Sequence, residues 1–381
     1  MTSRPLLHLF ISLMLGLLPG LAAWAENGVS ADDIRIGMVN AQSGPAAGLG
    51  LGMYAGAAAY FARINAEGGV NGRKITLILK DDGYEPARSA ALTEQLIKVD
   101  QVFALLGYVG TPTSRAALPI AAQAEVPYLF PFTGAEFLRT PLKKWAFNLR
   151  ASYFDETEEL VERINKDLGS QKVALLMQDD SFGEAVKSGL AGALDKRGMR
   201  IHAEARIQRN SLQVNGAVAA LKLATPDAIV FVGTYQQLAA AIKQAKASGV
   251  TARFFTVSFI GTENFISAAG ADGDGVYITQ VMPSPHDRSL AVIRDYLADI
   301  KPSEVGYASL EGYIAAMVFA KALANTGAQP TRAELADALQ YLNTDLGGFK
   351  VAFSPSNHQG SDAVFLTRVQ AGKALPVKRM Q

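Results

Sequence analysis

Short runs of apolar and β-branched residues alternate along the chain with longer stretches whose apolar positions recur every three to four residues. That is the pattern of strands and amphipathic helices layered about parallel sheets. Strands are predicted at 34–40 (IRIGMVN), 74–82, 102–107 and 126–130, with helices near 52–66, 86–98 and 112–123 between them, which makes one doubly wound lobe. After AFNLRAS (146–152) the alternation restarts. Helices 154–168, 182–196, 211–223 and 236–247 separate strands 172–178, 199–207, 227–233 and 252–258, a second lobe of the same kind. A strand at 275–280, helices near 289–299, 307–325 and 332–340, the stretch GGFKVAF and a late strand at 363–369 complete the chain. The fold class expected is α/β with two doubly wound parallel-sheet lobes.

The lobes echo each other. EPARSAALTEQLIKVDQVFALLG and SLQVNGAVAALKLATPDAIVFVG both carry a helix, an Asp and an apolar strand ending in glycine. No long Pro/Gly/Ser linker lies between them, which favours lobes joined by several short crossings over beads on a string.

The first 25 residues change the picture of where the protein works. MTSRPLLH carries Arg4, the apolar run LFISLMLGLLPGLAAWA follows, and Ala23-Trp24-Ala25 is a small-x-small triplet. This is expected to be a secretory signal peptide cut after Ala25, since Pro19 and Gly20 interrupt the run before it reaches a membrane span. The chain has no cysteine, hence neither a disulfide framework nor a lipid-attachment cysteine. Without Arg4, basic and acidic residues balance at 35 each, which gives no electrostatic reason to expect nucleic acid. His202, His286 and His358 lie far apart with no second ligand at metal spacing, so no metal is expected.

The stretch SGPAAGLGLGMYAG (43–56) places Gly50, Gly52 and Ala55 at the spacing of a dinucleotide fingerprint. The fingerprint needs its first glycine in the turn directly after strand one, and Gly50 comes ten residues after Asn40. Asp81 and Asp82 lie too far on to serve as the ribose-binding acid. No cofactor is expected, and the glycines are read as letting backbone approach a ligand or the facing lobe.

Enzyme chemistry finds little footing. There is no nucleophile elbow, phosphate loop or His-carboxylate cluster, and the pairs Asp81-Asp82 and Asp179-Asp180 close strands as turn formers do. A noncatalytic binder is the main reading. A secreted α/β hydrolase with an unrecognised site stays open, as does a ligand-sensing receptor domain, which the lack of a second membrane span disfavours.

IRIGMVNAQSGPAAGLG, INAEGGVNGR, the Asp81-Asp82 pair, GYVGTPTSRAALPIAAQAEVPYLFPFTGA and QDDSFGEAVKSGL together resemble the periplasmic leucine/isoleucine/valine-binding protein family, the type I periplasmic solute receptors of ABC transporters. The resemblance runs from about residue 34 to 369. It implies two lobes joined by a three-crossing hinge, 26–150 with 282–350 and 151–281 with 351–381. It also implies a periplasmic location, closure over a small-molecule solute, delivery to a membrane permease and a monomer.

Ligands in open α/β sheets bind outside the carboxyl ends of strands, near helix N-termini. Strand 102–107 delivers Tyr108 and then Thr111, a plausible N-cap before Pro112, at the family position that holds the solute carboxylate. Phe132 and Thr133 match a family binding loop, although Thr133 with Glu136 also forms a capping-box pattern. Phe182 matches a family aromatic that covers the solute and sits inside another such pattern, Ser181 with Glu184. Tyr235 is a family cleft position, with Thr234 and Gln237 supplying the capping alternative. Amino-acid receptors of the family hold the solute ammonium with an acid after the strand that here runs ARFFTVSFIG, where this chain has Ser258 followed by Phe259. Glu263 could replace that acid only if the loop folds back. The aromatic lining and the missing acid point to a small carboxylate or aromatic solute, with an aliphatic amino acid as the alternative.

Overall fold

The computed structural model describes residues 26–381, so the expected signal segment lies outside the described residues. The first sheet contains strands β1 (Asp33–Asn40), β2 (Lys74–Asp81), β3 (Ala104–Leu106), β4 (Tyr128–Leu129) and β5 (Ala146–Phe147), all parallel, in the order β2-β1-β3-β4-β5. Helices α1 (Ala47–Ala66), α2 (Pro86–Lys98) and α3 (Thr111–Gln123) make its crossovers.

The second lobe alternates α4 (Tyr153–Lys166), β6 (Val173–Gln178), α5 (Ser181–Asp195), β7 (Ala203–Ile207), α6 (Asn215–Ala224), β8 (Ala228–Val232), α7 (Tyr235–Ala247), β9 (Arg253–Thr256), α8 (Thr262–Ala269) and β10 (Tyr277–Gln280). Strands β6 and β8 are buried along their whole length, as helices on both faces of a parallel sheet require.

The chain then returns to the first lobe as α9 (Ala291–Asp299), α10 (Tyr307–Ala324) and α11 (Arg332–Gln340), followed by a small hairpin, β11 (Asn343–Asp345) and β12 (Lys350–Ala352). Val351 and Phe353 are buried in that lobe's core, where the Phe353 ring lies 5.6 Å from Phe147 and 6.2 Å from Phe130. Finally β13 (Phe365–Gln370) and β14 (Lys373–Pro376) join the second sheet antiparallel, giving the order β14-β13-β10-β9-β8-β6-β7.

Helix α1 begins five residues earlier than the period suggested, and its glycines explain why it can. A Cβ at Gly50 would stand 1.8 Å from the Ala41 carbonyl oxygen, and one at Gly56 would stand 1.7 Å from that of Ser309. These residues let α1 press against the end of β1 and against α10. Gly48 faces the other lobe, where a Cβ would meet the Asn264 side chain at 2.3 Å. Two further differences from expectation are small. The strand foreseen at 199–207 starts only at Ala203, and β14 was not foreseen because its side chains are mostly exposed.

Candidate functional site

Both sheets point the carboxyl ends of their parallel strands at the gap between the lobes, and five aromatic rings fill it. Tyr84 and Phe132 come from loops of the first lobe. Tyr153, Phe182 and Phe259 come from the second. Phe259 is the hub, with ring centroids 4.4 Å from Phe182, 5.8 Å from Phe132 and 6.2 Å from Tyr84, while Tyr153 lies 5.5 Å from Phe182. All five are buried.

A polar cluster lies under these rings at the first crossing between lobes. The Arg150 guanidinium rests 4.0 Å over the face of Phe132 and grips Glu311 of α10 through two bonds, Nε to Oε1 at 2.8 Å and Nη2 to Oε2 at 2.7 Å. Its Nη1 donates to the Ser258 hydroxyl at 3.2 Å. The Glu156 carboxylate accepts from the Ser258 amide at 2.7 Å, the Ser258 hydroxyl at 3.0 Å and the Thr279 hydroxyl at 2.6 Å. Burial pushes the Glu156 carboxyl above its ordinary pKa, opposed by Arg150 and these donors. For Arg150, burial works against the charge, but Glu311 more than offsets it and holds the pKa above the ordinary value.

Around this centre, Thr111 and Thr133 share a hydroxyl hydrogen bond of 2.7 Å, and Thr133 donates to the Tyr153 hydroxyl at 3.2 Å. The expected caps are different. Gly110, with φ of 105°, occupies the cap of α3, making Thr111 the first helical residue and leaving its hydroxyl to Thr133. Thr133 caps no helix either, because the short turn at Glu136–Leu138 begins after Ala135. In α5 the cap is Asp180, whose Oδ1 accepts from the amides of Phe182 and Gly183, in place of the Ser181 and Glu184 pairing. Thr234 and Gln237 do form a capping box.

Tyr108 departs from its expected place. Its ring packs in the first lobe's interior 4.8 Å from Tyr128, with its hydroxyl bonded to Thr93 at 2.8 Å, because alternation along the strand exit turns it away from the gap. Tyr235 stands at the edge of the gap, where its hydroxyl accepts from the Gly48 amide of the facing lobe at 3.4 Å. Glu263 is not in the aromatic centre. It accepts from the Tyr307 amide at 3.2 and 3.3 Å, holding the start of α10, and burial pushes its carboxyl up to about 7. It lies between two side cavities of about 760 and 630 Å³ that flank the lobe boundary. Sequence reading missed Arg150, Glu156 and Glu311 altogether. The one available signal was a charged residue, Arg150, in the short connection AFNLRAS, which is otherwise uncharged.

The periplasmic binding protein family profile matches residues 33–374. The leucine-specific-binding protein of Salmonella typhimurium is 23% identical over 312 residues, covering 79% of this chain and 83% of the relative. Among solved structures, a possible leucine/isoleucine/valine-binding protein from Rhodopirellula baltica SH 1 is 32% identical with a TM-score of 0.87, covering 92% of this chain and 97% of the other. A substrate-binding periplasmic protein from Ralstonia solanacearum is 28% identical with a TM-score of 0.85, covering 91% and 100%.

Proposed function

The chain belongs to the periplasmic binding protein family, and from that premise we propose that it is the periplasmic receptor of an ABC importer for a small carboxylate with a flat or apolar body. The solute enters the gap between open lobes, is covered by Phe182 and Phe259, and is presented to a membrane permease by the closed form. The first lobe in this reading comprises 26–150 with 282–360, since Val351 and Phe353 pack in its core, and the second comprises 151–281 with 361–381. The receptor acts as a monomer and without catalysis.

One observation carries the solute class. The carboxylates bordering the aromatic centre are committed, Glu311 to Arg150, Glu156 to Ser258 and Thr279, and Glu263 to the Tyr307 amide. An incoming ammonium would have to compete with these donors for a carboxylate, at a desolvation cost of several kcal/mol. Arg150, by contrast, has five N–H donors, of which Glu311 and Ser258 take three. The remaining two suit a carboxylate, and the Tyr153 hydroxyl, which accepts from Thr133 in the chain Thr111–Thr133–Tyr153, keeps its own proton for the second oxygen. The rings then accept the body of the solute. Aliphatic amino acids are the second reading, favoured by the Salmonella relative's name.

Titration calorimetry on protein unfolded and refolded to strip any co-purified ligand tests this, with benzoate, 4-hydroxybenzoate and a short alkanoate against L-leucine, L-isoleucine and L-valine. Binding of an amine-free carboxylate that is lost in Arg150→Met is the expected outcome. Tight binding of the amino acids, with no response to any amine-free acid, overturns the reading.

A further inference from the structure

The two lobes are tied together at one further place, far from the hinge and at the margin of the aromatic centre, where Tyr84 belongs to both. Arg209, in the loop after β7, reaches across to the loop after β2. Its Nη1 meets the Glu85 carboxylate at 3.0 Å, its Nη2 donates to the Tyr84 carbonyl, and its guanidinium lies 4.7 Å over the Tyr84 ring. The neighbouring Asn210 donates to the other Glu85 oxygen at 2.7 Å. On its own side Arg209 Nε pairs with Asp180 at 3.2 Å. Tyr84 and Asn210 both adopt left-handed backbone, with φ of 65° and 59°, a conformation that costs a non-glycine residue free energy and persists where the surroundings enforce it.

We propose that Arg209 is the latch that holds the closed lobes together and so sets how long a solute stays bound, without touching the solute itself. Strand order gives the mechanical reason. The first crossing leaves from β5 and the second from β10, whereas β2 and β7 are the opposite edges of those parallel runs, each four strands away. At about 4.8 Å per strand the latch sits on a lever of roughly 19 Å, so a hinge rotation of roughly 10° pulls it about 3 Å apart and breaks every bond in it. No contact nearer the hinge is so sensitive to the first degrees of opening.

The latch also borders the cover of the site. Asp180 accepts from the Phe182 amide on Oδ1 at 2.8 Å and from the Gln178 side chain on Oδ2, and the same Oδ2 stands 3.2 Å from Arg209 Nε as an ion pair, so a single carboxylate neighbours both the latch and the aromatic that closes over the gap. The two latch loops occupy matching places in the two lobes. They open the two sequence segments that echo each other, one beginning at Glu85 and the other at Ser211.

The inference rests on the receptor reading for its biological meaning, and the test separates the two. Because the chain has no cysteine, Gln95→Cys on α2 and Lys222→Cys on α6, both exposed, give one dye pair across the lobes for single-molecule energy transfer. Opening rates are measured without solute, with benzoate and with L-leucine. Arg209→Ala is expected to open about tenfold faster than the parent, the loss of charge-assisted bonds appearing in the off-rate, and closing should change little. Arg209→Lys keeps the charge but not the fork and should fall between. Adding Glu85→Gln to Arg209→Ala should speed opening no further. Melting curves of Arg209→Lys and Asn210→Ala guard against a folding defect. An opening rate for Arg209→Ala within twofold of the parent, with and without the probes, overturns the latch. If neither probe closes the parent chain, the solute reading fails while the unliganded rates still decide the latch.

Discussion

Arg150 and Glu311 form a two-bond ion pair from which water is excluded, their side chains only 1% and 2% exposed. It ties the first crossing between lobes to α10, the most deeply buried helix of the first lobe. A buried pair of this kind leaves a bare charge when one partner is removed, which costs about 3–5 kcal/mol. Glu311→Ala should therefore lower the unfolding free energy by about that amount in urea titration, and Arg150→Met combined with Glu311→Leu should recover much of it. A loss below about 1 kcal/mol in the single variant would mean that the pair is solvated.

Close packing of α1 on α10 gives a sharper contrast. Replacing Gly by Ala in a helix gains about 1 kcal/mol from propensity alone. At Gly56 the new Cβ would overlap the Ser309 carbonyl at 1.7 Å, so Gly56→Ala should destabilise by about 3 kcal/mol or more. At Gly192 in α5 nothing lies within 4 Å, and Gly192→Ala should stabilise by about 0.5–1 kcal/mol. The pair of substitutions, compared by denaturation, separates packing from propensity.

Glu263 makes stability depend on pH in a defined direction. Its carboxyl is raised to about 7 in the folded chain against an ordinary 4.5, so between those values the folded protein holds a proton that the unfolded chain has released. Stability from this group is full below pH 4.5 and lost as pH rises to 7, by up to about 3 kcal/mol. Glu263→Gln should show no such loss, so the difference in unfolding free energy between variant and parent should grow across that window and be flat above it. A difference independent of pH would show that the carboxyl titrates normally.

Thr133 links the two lobes' polar groups, touching Thr111 at 2.7 Å and Tyr153 at 3.2 Å. Thr133→Val keeps the shape and removes the hydroxyl. Carboxylate affinity by calorimetry should fall about tenfold, with about 1–2 kcal/mol lost in stability. Unchanged affinity would remove this hydroxyl from the site.

The alternation of strands and helices was plain in the sequence because parallel strands buried on both faces, such as AIVFV and VALLMQ with its single polar residue at the end, have no polar positions inside the run to blur them. Element ends were less legible. The start of α1 hides in a glycine-rich stretch, and only its contact with Ala41 and Ser309 reveals why glycine is tolerated in a helix there. Local patterns also overstated capping: Thr133-x-x-Glu136 fits a capping box, yet the chain turns before a helix begins. Tyr108 was misplaced because it was assigned to the gap by its place after the strand, without following the alternation that turns its side chain into the interior against Tyr128 and Thr93. The Arg150 and Glu311 pair, 161 positions apart, left no local trace at all.

The return of the chain to its first lobe has a consequence for biosynthesis. Helix α1 rests on α10, and the second sheet takes its last two strands from 365–376, so each lobe lacks a main partner until most of the polypeptide has been made. Contacts so distant along the chain close slowly. Slow closure of these contacts lengthens the time for which a growing chain can be threaded through a narrow pore before either lobe assembles.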